Sequence, residues 1–558
     1  MDFYQYANGA WRAANPIPPF MTRWSRVHAT AEATKGRLKE ITEDVSRSSD
    51  WPCGSVEQLI GDYYVACTDQ ARIDRLGLTP MKSWLDEIDR MKNAADLQRV
   101  LRHLHEIGIT APFALSSDAD PHNPAQTIAF LSAAGLGLPD RDYYLKPEER
   151  FVKIREQYRD HVATMFSLAG ATWEQAKAAA RAVLHLETKL AEASLDNVAI
   201  RDPHATDHPT TFKGLKQLAP AMDWDGYFRG AKVPRANLIV AEPSFLRAVD
   251  RQLRQTPLAD WKTYLKWHFL HQFVGSLPTP FVAEDFRLTA ALSGATQLKP
   301  RADRCAQQED RLLGEALGRK YVEKYFPPAP KARIQELVQN ELAAMHEIIE
   351  NLDWMSLETK KRALAKLAQM TVKVGYPDKW KDYRGVKITR DSYWDDVVAA
   401  TRWNVDDERS LIGKPTDRKR WLMTVPTSDA YNDYARNEIA FPAGILLPPQ
   451  FNPDAVDAVN YGGIGIPIGH EISHGFDDEG AKYDQEGRLN IWWTAADLKG
   501  FQQRTACVER QFDNYFIEPG LHHSGKLVLG ESIARLGRGE DCLSRIQEGS
   551  AGPACSND

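Results

Sequence analysis

The segment His470-Glu471-Ile472-Ser473-His474 combines residue types and a spacing that suit metal-assisted hydrolysis. Residues four apart lie on one face of a helix, so the two imidazoles can bind a single cation. Neutral imidazole suits Zn²⁺, and a catalytic zinc takes three protein ligands and leaves one position for water. Glu471 can accept a proton from that water, whose pKa zinc lowers to about 7. The motif therefore predicts hydrolysis of an amide or peptide bond.

The third zinc ligand is less well defined. A metzincin needs Gly at position 477 and His at position 480, where this chain has Asp477 and Gly480, so that class is excluded. The candidates near the motif are Glu479, Glu486, His522, His523 and Glu531. Glu531 begins a short helical pattern, and a glutamate on a separate downstream helix is the thermolysin-type arrangement. The His522-His523 pair lies in a polar turn, where we expect it to be exposed.

The segments that must position these residues are mostly helical. Residues 30–270 and 310–370 have apolar residues at helical spacing, and turn residues such as those at 118–124 separate the helices. The second block has an apolar stripe at helical spacing that should face the core, formed by Ile334, Leu337, Val338, Leu342 and Met345. Residues 436–447 predict a strand that enters a proline-rich turn.

Length and composition limit the class of protein. A chain of 558 residues exceeds the size of a single hydrophobic core, so we expect more than one domain. Apolar residues make up 43% and charged residues 26%, as in ordinary folded proteins. The net charge of -6 gives no electrostatic footprint for nucleic acid, and no apolar run is long enough to span a bilayer. We therefore expect no nucleic-acid partner and no membrane-spanning segment in this chain.

Several segments together resemble the neprilysin-like zinc peptidases of family M13, which include bacterial oligopeptidases and endothelin-converting enzymes. The resemblance extends from the first residues to about residue 537, and the similar segments are residues 2–11, 318–322, 352–356, 375–380, 437–444 and 469–475. It implies a mainly α fold with a small β component. A thermolysin-like (gluzincin) catalytic lobe and a helical lobe would enclose a central cavity.

The same resemblance implies how the chain is divided. Residues 1–30 and 275–537 would form the catalytic lobe, and residues 31–274 would form the helical lobe. Part of 300–420 is open to assignment to the second lobe. Residues 538–558 are polar and show neither helical nor strand periodicity. We interpret them as an aberrant, disordered tail that a frameshift or a genuine C-terminal truncation would produce.

By resemblance, His470, His474 and Glu531 would hold one zinc ion per chain, and Glu471 would be the general base. The implied substrates are peptides and small proteins, cleaved on the amino side of large hydrophobic residues.

Further residues carry over from the family pattern. Asp477 and Asp478 would orient a zinc-ligand imidazole. Asp429 and Ala430 occupy the positions of an Asn-Ala pair that holds the substrate backbone, but an aspartate cannot donate a hydrogen bond to a peptide carbonyl. Ile445 matches a residue of the pocket for the side chain after the scissile bond, and ordinary core packing is an equally good interpretation.

The cysteines bear on location. Cys67 and Cys305 occupy positions that are bridged in extracellular relatives, and Cys507 matches a position that pairs near the family's C-terminus. Disulfides form in oxidising compartments. We therefore expect an extracytoplasmic location, periplasmic or secreted, with the leader absent from this sequence; a cytoplasmic location stays open.

The sequence also departs from the family. Arg535 replaces an aspartate that hydrogen-bonds a zinc-ligand histidine, and the family's later oxyanion-binding His and substrate-binding Arg have no counterpart here. The sequence therefore predicts a zinc metalloendopeptidase and leaves one alternative, a truncated pseudo-peptidase that binds zinc or peptide with little turnover. The bare motif also allows a zinc hydrolase of non-peptide amides.

Overall fold

Helices form most of the chain, and short strands interrupt them. The structure is a computed structural model that describes residues 2–518 and 520–536, so the predicted tail at 538–558 lies outside the described residues. The helices are α1 (Phe3–Ala14), α2 (Arg26–Ser46), α3 (Val56–Thr68), α4 (Gln70–Leu76), α5 (Lys82–Asp89), α6 (Ala94–Glu106), α7 (Asp142–Leu145), α8 (Glu149–Leu168), α9 (Trp173–Ala191), α10 (Pro203–Thr206), α11 (Phe212–Leu218), α12 (Trp224–Gly230), α13 (Pro243–Gln255), α14 (Leu258–Gln272), α15 (Thr279–Ser293), α16 (Arg301–Tyr325), α17 (Pro328–Asn351), α18 (Leu357–Ala368), α19 (Tyr393–Arg409), α20 (Asp457–Asn460), α21 (Ile466–His474), α22 (Ala495–Asp513) and α23 (Leu529–Leu536). The strands are β1 (Phe113–Asp120), β2 (Asn123–Ala133), β3 (Pro209–Thr210), β4 (Leu238–Val240), β5 (Thr371–Gly375), β6 (Tyr431–Asp433), β7 (Glu438–Pro442), β8 (Phe516–Glu518) and β9 (Leu521–His522).

A four-stranded sheet interrupts the first helical region, where the sequence indicated mainly helices. Its strand order is β1-β2-β4-β3, and β1 and β2 form an antiparallel hairpin. The turn predicted at 118–124 lies at the tip of this hairpin. Two of its strands, β3 and β4, have only two and three residues, too few to establish a period of two, whereas the hairpin β1–β2 was missed although its strands are long enough to show one.

The sheet β5-β7-β6 lies next to the predicted catalytic helix. β5 and β7 are parallel, β6 and β7 are antiparallel, and β6 is the terminal strand. The strand predicted at 436–447 is confirmed only for β7, because the chain turns directly after Pro442. The backbone N–H of Ile445 donates to the carbonyl of Pro442 at 3.1 Å.

Helix α17 packs against α21, the helix that carries the histidine motif. Its predicted apolar stripe faces the core, because Ile334, Leu337 and Val338 are buried and Leu342 and Met345 are partly buried against the same core. The helix packs against α21, α18 and β5. It therefore joins the central sheet and the helix that carries the histidine motif.

A buried aspartate fixes α18 against α22. Asp497 on α22 accepts hydrogen bonds from the hydroxyls of Ser356 and Thr359 at the start of α18, and from Thr494 at 2.6 Å. These hydrogen bonds lower the pKa of Asp497 to about 2, although its burial opposes the shift. The two helices therefore keep a fixed relative position beside the candidate site.

A disulfide links two helices of the N-terminal half and the middle of the chain. Cys67 on α3 is bonded to Cys305 on α16, and both helices also pack against α2. No helix in the described ranges is both long and apolar enough to cross a bilayer.

Candidate metal centre

The histidine motif lies on a helix whose preceding turn packs closely against neighbouring segments. A π-helical turn at Tyr461–Gly465 connects α20 to α21 without a break in the helical backbone. A Cβ added at Gly463 would lie 2.3 Å from the carbonyl oxygen of Gln450, and one at Gly465 would lie 3.0 Å from Glu341. Small residues therefore allow this helix to approach its neighbours and fix its depth.

Three predicted ligands meet at the end of α21. The Nε2 atoms of His470 and His474 are 3.1 Å apart. Oε2 of Glu531 lies 3.5 Å from Nε2 of His470, and Oε1 lies 3.8 Å from Nε2 of His474. Both imidazoles are mostly buried, with side chains 12% exposed, whereas the Glu531 side chain is 52% exposed.

This donor set fits a zinc ion. With zinc–ligand bonds of about 2.0–2.1 Å and tetrahedral angles, two ligand atoms are about 3.3 Å apart. The three distances between the donor atoms of His470, His474 and Glu531 lie close to that value. Two imidazoles and one carboxylate also leave a fourth position for water or substrate, as in thermolysin-type sites.

Helix α23 places Glu531 by packing directly against α21. Its second residue, Gly530, must be small, because an added Cβ would lie 2.9 Å from Oδ2 of Asp477 and 2.9 Å from Oδ1 of Asp478. This close approach positions the following residue, Glu531, opposite the two histidines. On the exposed side of α23, Nη2 of Arg535 lies 3.8 Å from Oε2 of Glu531.

Asp477 is fully buried and contacts a predicted ligand. Its Oδ2 lies 2.7 Å from Nδ1 of His474 and accepts from the hydroxyl of Tyr434 at 3.3 Å. Its Oδ1 accepts from the backbone N–H groups of Glu479 and Gly480 at 2.9 and 2.7 Å. Burial opposes the charged form of His474, but the hydrogen bond and charge of Asp477 raise the pKa of this imidazole. Asp477 thus holds the Nδ1 proton and directs Nε2 towards the other donors.

Asp478 has a different environment. Burial, and then repulsion from Asp477 and Glu479, raise its pKa to about 7. Its Oδ1 is buried and makes no hydrogen bond within the described part of the chain. The orienting role predicted for Asp478 stays a prediction.

The remaining ligand candidates form ion pairs or hydrogen bonds with other residues. Glu479 pairs with Lys482 at 3.0 Å, and Glu486 lies 3.3 Å from Arg488. Nδ1 of His522 lies 2.9 Å from the carbonyl oxygen of Asp513. The backbone N–H of His523 donates to Tyr515. Within the described residues, Glu531 is the candidate whose carboxylate oxygen lies close to the donor atoms of both motif histidines.

Glu471 lies between the two histidines and is 6% exposed. Its backbone carbonyl accepts a hydrogen bond from Nδ2 of Asn432 at 2.8 Å. Asn432 is the central residue of β6, so this bond joins α21 to the terminal strand of the sheet.

The predicted substrate-binding residues flank the same sheet. Asp429 and Ala430 directly precede β6, and Asp429 is exposed. Partial desolvation raises the pKa of Asp429, and Glu531 adds a smaller repulsion. Ile445 is 6% exposed and belongs to the hydrophobic core.

Sequence reasoning missed Lys366, which is 1% exposed beneath the loop that follows the motif. Its ammonium group donates to the carbonyls of Gly480 and Tyr483 at 2.6 and 2.7 Å. Burial lowers its pKa to about 7, while the charges of Asp477 and Asp484 oppose the shift. Nothing in the helical pattern of α18 distinguishes this lysine from solvated ones. Tyr434 and Asn432 were missed for the same reason, since they reach the site only through the fold.

A cavity of about 800 Å³ adjoins the site. One wall comes from residues 196–205 and the other from residues 478–529, and Asp478 and Leu529 line it. The two walls belong to the segments assigned by sequence to the helical and catalytic lobes. That division into lobes stays a prediction.

Comparisons with known proteins agree on one family. Two sequence models of peptidase family M13 match residues 1–377 and 429–542. Endothelin-converting enzyme-like 1 of Mus musculus is 30% identical over 560 residues, which cover 96% of this chain and 71% of that protein. Endothelin-converting enzyme 1 of Bos taurus is 29% identical over 560 residues, which cover 96% of this chain and 72% of that protein.

Solved structures show the same similarity. The zinc metalloprotease Zmp1 of Mycobacterium tuberculosis, in complex with an inhibitor, matches with a TM-score of 0.92 and 34% identity, over 99% of this chain and 85% of that one. PepO of Lactobacillus rhamnosis matches with a TM-score of 0.88 and 25% identity, over 98% and 86%. The mainly helical fold expected from the sequence is confirmed.

Proposed function

Because the chain belongs to peptidase family M13, we propose that it is a zinc-dependent metalloendopeptidase. It hydrolyses oligopeptides on the amino side of large hydrophobic residues. The observation that carries the proposal is the convergence of His470, His474 and Glu531, whose donor atoms lie within 4.8 Å of one another.

These three residues would hold the zinc ion. When bound, zinc polarises the scissile carbonyl and lowers the pKa of water to about 7. Asp477 supports this role because its hydrogen bond to Nδ1 of His474 leaves Nε2 as the metal-binding nitrogen.

Glu471 is the general base. It follows the first ligand on α21 and is largely withdrawn from solvent. Its carboxylate takes the proton from the attacking water and can return it to the leaving amine. Asn432 assists by holding the backbone of Glu471 against β6.

The substrate binds as an extended strand beside β6. This strand pairs with β7 on one side and is the terminal strand of its sheet, so its other edge can pair with a peptide backbone. Asp429 can accept from a substrate N–H but cannot donate to a carbonyl, and Ala430 leaves room for the backbone. The preference for a large apolar side chain after the scissile bond involves Ile445.

An extracytoplasmic location fits this proposal. The Cys67–Cys305 disulfide supports it, because such bonds persist in oxidising compartments. Labelling of free thiols in freshly lysed cells would find both cysteines protected; labelling of both would contradict this location.

Product mapping tests the function. A defined mixture of peptides is incubated with the full chain, and the new termini are identified by mass spectrometry. We expect new N-termini that begin with large hydrophobic residues, loss of cleavage on chelation, and recovery on addition of zinc. Chelator-sensitive cleavage at other residues would refute the specificity alone. Zinc binding without cleavage of any peptide would refute the peptidase and favour the pseudo-peptidase.

A further inference from the structure

A second group of metal-ligating side chains lies among α8, α14 and α15, on helices other than those of the proposed catalytic site. His161, His271 and Asp285 each offer a donor atom, and these three atoms lie within 4.8 Å of one another. The His161 side chain is 0% exposed, while His271 and Asp285 are partly buried.

The surroundings of His161 are those of a metal ligand. Its Nδ1 lies 2.9 Å from Oε1 of Glu284. Arg287 holds that carboxylate with two hydrogen bonds, of 2.9 Å from Nε and 2.6 Å from Nη2. A histidine that binds metal through one nitrogen almost always donates its other N–H to such a partner. The pair of His474 and Asp477 at the first site has the same arrangement.

One nitrogen atom of each histidine lacks a hydrogen-bond partner within the described residues. Nε2 of His161 and Nδ1 of His271 are both buried and make no hydrogen bond among the described residues. Burying a polar atom without a partner is unfavourable, so such atoms call for an explanation. A cation between them and Asp285 would satisfy both nitrogens at once.

A protonated His161 between two acids is the competing explanation. In that case Nε2–H would donate to Asp285, as Nδ1–H does to Glu284. The structure does not contain this hydrogen bond, since Nε2 of His161 has no partner in the described part of the chain. The geometry therefore favours a cation over a proton.

We propose that His161, His271 and Asp285 bind a second divalent transition-metal ion. Two imidazoles and one carboxylate form a ligand set that suits zinc, whereas Mg²⁺ and Ca²⁺ prefer oxygen ligands. The ion joins α8, α14 and α15, and its role is to stabilise the packing of these three helices. The proposal does not depend on the peptidase activity.

Zinc content per chain tests the proposal directly. The full-length protein is equilibrated with zinc, freed of unbound metal by gel filtration, and analysed by atomic emission. Asp285→Asn removes one ligand charge at a partly buried position, and His271→Gln provides a second variant if the first does not fold. Asp160→Asn is the matched control, because it removes a charge next to His161 from a side chain that is 63% exposed. His474→Ala disables the first site independently.

We expect two zinc ions per chain in the wild type and in Asp160→Asn, one for each cluster. Asp285→Asn and His271→Gln should each hold one ion, as should His474→Ala. Glu284→Gln should weaken zinc binding at the second site by about 10–100-fold. In His474→Ala, zinc should raise the melting temperature, and this rise should vanish when Asp285→Asn is added.

Two results would overturn the second site. One is equal zinc content in the wild type and in folded Asp285→Asn or His271→Gln. The other is a His474→Ala protein that holds no zinc. A different result is that Asp285→Asn loses one zinc ion per chain and His474→Ala loses none. That result would refute the proposed catalytic site and leave the second site supported.

Discussion

Replacing Asp477 with asparagine should reverse the tautomer of a zinc ligand. Oδ1 of Asp477 accepts two backbone N–H groups, those of Glu479 and Gly480. An asparagine must keep its carbonyl oxygen at that position, so its NH₂ group faces Nδ1 of His474. That nitrogen must then accept a hydrogen bond, which places the imidazole proton on Nε2, the atom that should bind zinc.

Two effects determine how far the zinc affinity should fall, namely the loss of the orienting carboxylate and the reversed tautomer of His474. Loss of an orienting partner typically weakens metal binding by about 10–100-fold, which is about 1.4–2.7 kcal/mol. The reversed tautomer adds to this cost, so we expect Asp477→Asn to reach or exceed the upper end of that range. Tyr434→Phe is the matched control, because it removes a 3.3 Å contact to the same carboxylate without altering its charge.

Competition with a chromophoric chelator measures the zinc affinity of each variant, and peptide turnover is then compared at equal bound zinc. We expect a large loss of affinity for Asp477→Asn and a small one for Tyr434→Phe. Equal affinities for the two variants would show that Asp477 does not control the metal-binding nitrogen of His474, and the reasoning would be refuted.

Three further predictions concern charge, pH and the disulfide. Arg535→Ala removes a guanidinium 3.8 Å from the Glu531 carboxylate. Because both groups are about half exposed or more, zinc affinity should rise only about two- to fivefold, and the gain should disappear at high salt. Zinc titrations at several salt concentrations check this prediction. A lower zinc affinity in Arg535→Ala would contradict it. Burial raises the pKa of Asp396 to about 8, so its contribution to stability is lost as pH rises from about 4 to about 8. The melting temperature of Asp396→Asn should therefore depend less on pH over that interval than that of the wild type. An equal pH dependence in the two proteins would show that the pKa of Asp396 is not raised. Replacing Cys67 and Cys305 by serine should lower the free energy of unfolding by about 2–5 kcal/mol; an unchanged denaturant midpoint would contradict this.

The sequence predicted the helical character and the position of the histidine motif well. Both depend on local signals, namely apolar residues at a period of 3.6 and ligand residues four positions apart. The stripe of Ile334, Leu337 and Val338 is an example, since its spacing alone indicated the face that is buried.

Features that depend on contacts between residues far apart in the sequence could not be predicted from local patterns. The residues alone left Glu479 and Glu531 both open as a third ligand, because the choice depends on how α23 approaches α21 at Gly530. Lys366 and Asn432 carry no pattern of their own, and they reach the site only through the packing of α18 and β6. The two shortest strands of the four-stranded sheet, β3 and β4, could not be predicted locally because neighbours far along the chain stabilise them.

In the proposed mechanism, Glu471 activates water beside a metal held by His470, His474 and Glu531. The most direct measurement is peptide turnover by Glu471→Gln and by the wild type, with zinc content determined in the same samples. We expect equal zinc content and a loss of turnover of at least about 10²–10⁴-fold, because the amide cannot accept the proton. Equal turnover by the two proteins at equal zinc content would show that Glu471 is not the general base.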